Sequence, residues 1–323
     1  MLLITRRNDF EADLIGISLL RNGVDYIRLN IDDIPDTIRA TYAISKENED
    51  KLIFDLGGYI LDPTKISVCL IRYFEVSSLD FGPDNFVYLY TTQQWENILS
   101  SLLNELKCNW INNPTAISHA EDRIKQLSVA RDLGFDIPAS VITNDPNVAS
   151  NFYNICKGNM IIKVLHHHRI DVQNTAFSIF SQVISASHLK ELKALVNAPC
   201  MLQERINKEY ELRVTVVGDS IFAVRLDPPD NLMFDLHSYT LSEISKKAVT
   251  IPVVLQERCK EMLKKLNLDY AALDFAVDRN GRTFFLEANA SGDWHWIERD
   301  TGLPITDSVV NLILKGRKEQ SKP

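Results

Sequence analysis

No stretch of this 323-residue chain is apolar enough to cross a membrane; its apolar runs, such as Val68-Cys69-Leu70-Ile71, are of strand length. No secretory pattern opens it either. In Met1-Leu2-Leu3-Ile4-Thr5-Arg6-Arg7 the apolar run precedes the basic pair and no cleavage site follows, so the segment reads as a first strand. Cysteine is sparse and odd in number: Cys69, Cys108, Cys156, Cys200 and Cys259 are far apart. That spacing excludes a disulfide framework or a zinc site and fits reduced thiols in a cytoplasm. Positive charge is not in excess. Thirty-five Lys and Arg against 43 Asp and Glu leave a net charge of −8, which disfavours general nucleic-acid binding through phosphate neutralisation. The Thr5-Arg6-Arg7-Asn8-Asp9 turn has no glycine, so the first strand does not open a dinucleotide fingerprint. Internal repeats, low-complexity segments and a nucleophilic triad are missing as well.

What is present is an ordinary globular composition, 45% apolar and 24% charged, long enough for two or three domains. The central stretch is Tyr270–Asn289. Two apolar, aromatic-rich runs flank Asn280-Gly281, a strong hairpin signal. A loop centred there pairs Asp274 with Glu287 and puts Asn289 on the same face, because strand side chains repeat every second residue. Like charges directly opposite repel. Oxygen ligands without Cys or His nearby point to a hard cation, Mg²⁺ before zinc. A surface hairpin with scattered acids is the bland alternative, against which Leu273, Phe275, Phe285 and Leu286 argue.

Before this hairpin the chain reads as α/β. Met1–Thr5, Val24–Asn30 and Val68–Tyr73 are expected strands, with helices over Asp9–Arg21 and Thr91–Leu106. A turn cluster at Asn112-Asn113-Pro114 marks a boundary. A helix is expected over Ser118–Leu133 with a capping box from Ser118 to Glu121, then a strand Ala139–Thr143 and a helix opening at Asp145-Pro146. Met160–Leu165, Ser178–Ile184 and Cys200–Arg205 read as strands, the last two around a helix at Leu189–Val196. Glu211–Val217 and Ile221–Leu226 read as a hairpin across Gly218-Asp219. Residues 227–250 read as a polar loop over a site; helices over Val254–Leu266 and near Ile305–Leu314 complete the pattern.

Lys163 ends an apolar strand, where a buried ammonium calls for an anion such as phosphate, unless the strand is an edge and the lysine reaches water. Glu211 and Arg213 share a strand face, either as a plain ion pair or as part of a site. In order, Lys125, Lys163, Gln203-Glu204-Arg205-Ile206, Glu211/Arg213 and Asp274…Glu287-Ala288-Asn289 resemble the ATP-grasp ligases over roughly residues 105–315. The run from Phe285 to Glu298, Thr301-Gly302-Leu303-Pro304-Ile305 and Trp110–Pro114 resemble the graspetide synthetases of the microviridin and plesiocin type. Three departures stand out: Asp235-Leu236-His237 where an Asp-x-Arg is common, Arg72-Tyr73 where an arginine pair is common, and His166-His167-His168 where a Gly-rich loop is expected.

The resemblance implies an ATP-grasp fold of two α+β subdomains clasping ATP (residues 109–200 and 201–323), preceded by a small open α/β domain (1–108). It implies that Lys125 and Lys163 contact phosphates, that the backbone of Gln203, Glu204, Arg205 and Ile206 meets adenine, and that Glu211 holds ribose. Arg213 would reach a phosphate or the substrate carboxylate, with His237 assisting. Asp274, Glu287 and Asn289 would bind Mg²⁺. The implied activity is ATP-dependent closure of ester or amide rings in a precursor peptide with leader and core, by a cytoplasmic homodimer. The alternatives are a ligase that adds an amino acid and an ATP-grasp-fold kinase. The histidine run reads as a solvated loop before a metal site, since three adjacent side chains do not converge on one ion.

Overall fold

A computed structural model describes residues 1–46, 51–74, 76, 85–165, 169–172, 175–227 and 243–320. In chain order the first elements are β1 (Leu2–Thr5), α1 (Phe10–Arg21), β2 (Ile27–Asn30), β3 (Ile38–Ala43), β4 (Lys51–Leu56), β5 (Ile60–Leu61) and β6 (Val68–Ile71). There follow α2 (Asn85–Glu105), β7 (Asn109–Ile111), α3 (Pro114–Ala120), α4 (Arg123–Asp132), β8 (Ser140–Thr143), α5 (Pro146–Ile155) and β9 (Met160–Lys163). A hairpin of β10 (Arg169–Val172) and β11 (Thr175–Ser178) precedes β12 (Gln182–Ile184), a 3₁₀ helix (Ala186–Asn197) and β13 (Cys200–Glu204). The remainder is β14 (Lys208–Val217), β15 (Ser220–Asp227), β16 (Ser245–Val249), α6 (Val253–Leu266), β17 (Tyr270–Asp278), β18 (Thr283–Asn289), α7 (His295–Thr301) and α8 (Ile305–Gln320).

These elements form two compact units, Met1–Thr115 with Pro304–Pro323, and Ala116–Leu303. In the first, a parallel sheet runs in the order β2-β1-β6-β7. Its two central strands, β1 and β6, are near-continuous apolar runs and are buried throughout, as strands covered on both faces are. Asp9 caps α1 by accepting from Ala12 N, as the expected helix start requires. Residues 38–61 add an antiparallel sheet, β3-β4-β5, that alternation did not reveal.

Besides the β10-β11 hairpin, the second unit holds two larger antiparallel sheets, β12-β9-β13-β8 and β16-β15-β14-β17-β18, joined by residues 205–207 between β13 and β14. One face of the larger sheet is apolar. Leu212, Val214, Leu273, Phe275 and Ala288 form a core with Ala130, Phe135, Met262 and Leu263. Phe135, Phe275 and Phe285 stand with ring centroids 5.7–5.8 Å apart. Each such side chain contributes roughly 1.5–3 kcal/mol by removal from water. That leaves the polar side chains of β14, β17 and β18 on the opposite face.

Two expected elements are corrected. The helix over Ser118–Leu133 is two helices, α3 and α4, with no capping box at Ser118. Asp122 caps α4 instead, accepting from Ile124 N at 2.9 Å and Lys125 N at 3.2 Å. An aspartate with a free carboxylate immediately before a helical run outcompetes a serine four residues upstream. The polar stretch 227–250 is not all loop, because Ser245–Val249 pairs with β15 as the edge strand β16. Its Ser-Lys-Lys sequence conceals it, since charge is what an edge strand carries. Lys163, by contrast, is not on an edge: β9 lies between β12 and β13. The His166–His168 run and Asp235-Leu236-His237 lie outside the described residues.

Candidate active site

Pairing in the larger sheet assembles the site. Arg213 lies opposite Asp274 across β14 and β17, and Asp274 lies opposite Glu287 across β17 and β18. Asn289, paired with Ala272, and Thr215, paired with the same residue from the other side, join that face, as does Glu211 opposite Ala276. The expected pairing of Asp274 with Glu287 is therefore present, although the loop differs. Asp278 N donates to Arg282 O at 3.0 Å, closing a longer turn, in which Gly281 has φ +78. This moves Val277 opposite Thr283 and Phe275 opposite Phe285. A bulge then leaves Leu286 unpaired and restores the Asp274–Glu287 register.

The two carboxylates are not left to repel each other. Arg213 Nη1 donates to Asp274 Oδ2 at 2.7 Å, and Arg123 Nη1 donates to Glu287 Oε2. The Asn289 amide spans the pair, its Nδ2 lying 2.9 Å from Asp274 Oδ2 and 3.1 Å from Glu287 Oε1. Burial pushes the Asp274 carboxyl above its ordinary pKa; Arg213 opposes the rise and the like charge of Glu287 adds to it. Burial works against the charge of Arg213 too, but Asp274 and then Glu287 hold its pKa above the usual arginine value.

Arg213 is fixed from behind. Its Nη2 donates to Asp293 O at 3.3 Å. Gly292 approaches so closely that a Cβ there would stand 2.7 Å from Arg213 Nη2 and 2.9 Å from Ala272 Cβ. Tyr270 donates its hydroxyl to Gly292 O and meets the buried Trp294 edge-on at 5.3 Å, which ties down the loop after β18. At the sheet's other edge the buried Lys246 Nζ lies 2.7 Å from Asp300 Oδ2 of α7. Bonds from Arg299 and Lys246 hold the Asp300 carboxyl well below the usual carboxylate range.

Two polar atoms on this face, Arg213 Nε and Thr215 Oγ1, are buried without a hydrogen-bond partner among the described residues. Buried donors without partners are uncommon and suit a place where a ligand supplies them. Asp274, Glu287 and Asn289 offer carboxylate and amide oxygens only, and no cluster of three His, Cys, Asp or Glu exists among the described residues. Such a set fits Mg²⁺, which keeps several positions for water or substrate phosphate.

Of the other expected residues, Glu211 shares the site face and the rest sit elsewhere in this unit. Lys163 ends β9, half-buried, opposite Met201. Gln203, also on β13, is buried, with Nε2 donating to Ser140 Oγ at 3.0 Å. Glu204 N donates to Ala139 O at 2.8 Å and Arg205 N to Asn159 O at 2.9 Å, and Ile206 is half-buried in the link between the sheets. Glu211 accepts from Lys208 Nζ and Arg213 pairs with Asp274, so the plain Glu211–Arg213 ion pair is not what the structure forms. On α4 it is Arg123 that reaches the acidic pair, whereas the backbone N–H of Lys125 serves the helix cap. Sequence inspection missed Arg123, for which the cue was a cation directly after the capping Asp122. It also missed Gln126, whose side chain bonds both backbone groups of Ala288, with Nε2 2.8 Å from the carbonyl O and Oε1 2.9 Å from the N–H.

Comparison with known proteins places this geometry in a recognised fold. The structure matches a Chryseobacterium gregarium RiPP-associated ATP-grasp ligase in complex with ADP and a leader and core peptide. The TM-score is 0.85 at 23% identity, over 97% of this chain and 96% of that one. The macrocyclase MdnC from Microcystis aeruginosa, bound with the precursor peptide MdnA, matches with TM-score 0.84 at 22% identity over 97% and 99%. The ATP-grasp ligase PsnB with minimal precursor, Mg and ADP matches at 0.76 and 18% over 98% and 96%. The chain thus has the ATP-grasp fold. Among curated sequences it is 24% identical over 209 residues to a probable alpha-L-glutamate ligase 1 of Shewanella baltica, a match over 63% of this chain. The match spans 66% of that relative's length. No family model matches the chain.

Proposed function

We propose that the protein is an ATP-dependent carboxylate ligase that closes side-chain ester or amide rings in a ribosomally made precursor peptide. The observation that carries this is the sheet face holding Asp274, Glu287, Asn289 and Arg213 together, in a fold shared end to end with one ligase solved with a leader and core peptide and another bound with its precursor peptide. A carboxylate does not accept an alcohol or amine at neutral pH, because its oxide is a poor leaving group. Transfer of the γ-phosphoryl group of ATP gives an acyl phosphate and ADP; attack by a hydroxyl or amine then releases phosphate. Mg²⁺, when bound, neutralises the triphosphate, and Asp274, Glu287 and Asn289 are the residues to hold it.

Arg213 supplies a planar fork against the charge that develops on the transferring group or against the peptide carboxylate. Lys163 and Lys125 serve the phosphates, the segment Gln203 to Ile206 meets adenine, and Glu211 holds the ribose. His237 would stand by the peptide carboxylate. Both reacting groups belong to one bound peptide, so the protein chiefly orients them. The same proposal places the protein in the cytoplasm as a homodimer; all five cysteines are free, and no described helix is long and apolar enough to cross a membrane.

A second reading, addition of an amino acid to a carboxylate, is favoured by the curated glutamate ligases. Product mass separates the two: ring closure loses one water per bond, whereas addition gains a residue.

A further inference from the structure

Glu287 already has a cation of its own. Arg123 is the first residue of α4, and its guanidinium donates to Glu287 Oε2 while the Asn289 amide holds Oε1. Both oxygens that a divalent ion would use are therefore engaged by donors. On the neighbouring carboxylate Arg213 does the same, but the two arginines are not equally free to leave. Arg213 is buried, backed by Gly292 and bonded to Asp293 O. The Arg123 side chain is 26% exposed and borders a cleft of about 310 Å³ whose walls include Glu121 and Asp122. It can turn from one carboxylate toward others without crossing apolar core.

We propose that Arg123 is a resident counter-cation for Glu287, which would have to leave before Asp274, Glu287 and Asn289 could hold a divalent ion. The proposal rests on the metal site inferred above. Without a metal, Arg123 offsets the like-charge repulsion across β17 and β18 and keeps the strand register at Asp274–Glu287 intact. With a metal, the guanidinium turns into the cleft beside Glu121. The arrangement ties the start of α4 to the state of the metal site through the Arg123–Glu287 bond. Asn289 would likewise have to turn its amide, which now presents Nδ2 to both carboxylates, to offer Oδ1 to an ion.

The test compares Mn²⁺ binding, followed by electron paramagnetic resonance without nucleotide, in the wild type, Arg123→Gln and Glu287→Gln. Removing the competitor tightens Mn²⁺ binding in Arg123→Gln about tenfold, the scale of one charge-assisted hydrogen bond that the ion no longer has to break. It also enlarges the rise in melting temperature that Mg²⁺ produces. Arg123→Lys, which keeps the charge but not the fork, falls between the two and covers the case in which the glutamine variant does not fold. Glu287→Gln loses the Mn²⁺ response. Equal Mn²⁺ affinity in wild type, Arg123→Gln and Arg123→Lys, with Glu287→Gln still deficient, overturns the counter-cation role and leaves the metal site standing. Equal responses in all four proteins overturn the metal site itself.

Discussion

At the scale of single residues the site depends on charges held at fixed positions. Glu287→Gln removes one of the two carboxylates available to a metal, so ring closure should be abolished with ATP and Mg²⁺ saturating, while the circular dichroism spectrum is kept. Relief of repulsion from Asp274 would by itself stabilise that variant. Because Arg123 already offsets the charge, the unfolding free energy should instead stay within about 1 kcal/mol of wild type. Near-normal turnover would remove Glu287 from the site. Gly292 gives a second test. A methyl group there meets Arg213 Nη2 at 2.7 Å and Asn289 Cβ at 3.3 Å, so Gly292→Ala should push Arg213 from Asp274. A displacement on the order of 1 Å in a catalytic group costs about a hundredfold in rate. Turnover measured beside the melting temperature distinguishes this from general unfolding, which would lower both together. Arg213→Lys keeps the charge and loses the fork. If Arg213 receives the peptide carboxylate, ring closure collapses and ADP affinity by calorimetry hardly changes; equal losses return Arg213 to the nucleotide.

At the scale of elements, α4 and β18 are joined through Gln126, which is buried and bonded to Ala120 O at 2.5 Å as well as to both backbone groups of Ala288. Gln126→Leu leaves the Ala288 groups unsatisfied and should cost about 1–3 kcal/mol in the denaturant midpoint analysis. No change would mean that water takes over the bonds. This joint also shows what the sequence could and could not disclose. The hairpin was legible because alternation and Asn280-Gly281 act over a few residues. Its acidic pair was placed correctly although the turn was not, since a longer turn and the bulge at Leu286 shift the register once each and cancel. Arg123 was hidden for a different reason: a lysine or arginine on a helix looks alike whether it meets water or a carboxylate 164 residues away. The strand β16 was obscured by its polar, edge-type sequence, and the sheet β3-β4-β5 by short strands whose pairing only the fold decides.

At the scale of the whole molecule, acid should act first through buried pairs. In the first unit Asp9 accepts from Arg72 Nε at 2.7 Å and from Thr5 Oγ1, with Glu11 at 3.3 Å from Arg72 Nη2. Burial alone would raise the Asp9 pKa, but the charge of Arg72 and the bonds from Arg72, Thr5 and Ala12 outweigh it and hold it below the usual value. A carboxylate depressed in the folded state adds stability above its unfolded pKa of about 4 and loses it as pH falls through the folded value. Melting temperatures between about pH 6 and 3 should therefore fall for wild type and vary less for Asp9→Asn; parallel curves would assign the acid sensitivity elsewhere.

The proposed activity itself turns on one mass measurement. A short peptide rich in Thr and Asp or Glu, encoded beside the gene, is incubated with the protein, ATP and Mg²⁺ and weighed. Ring closure predicts the loss of one water per ring together with one ADP formed per bond. A peptide that gains a residue, keeps a phosphate, or returns unchanged while ATP is consumed would contradict it.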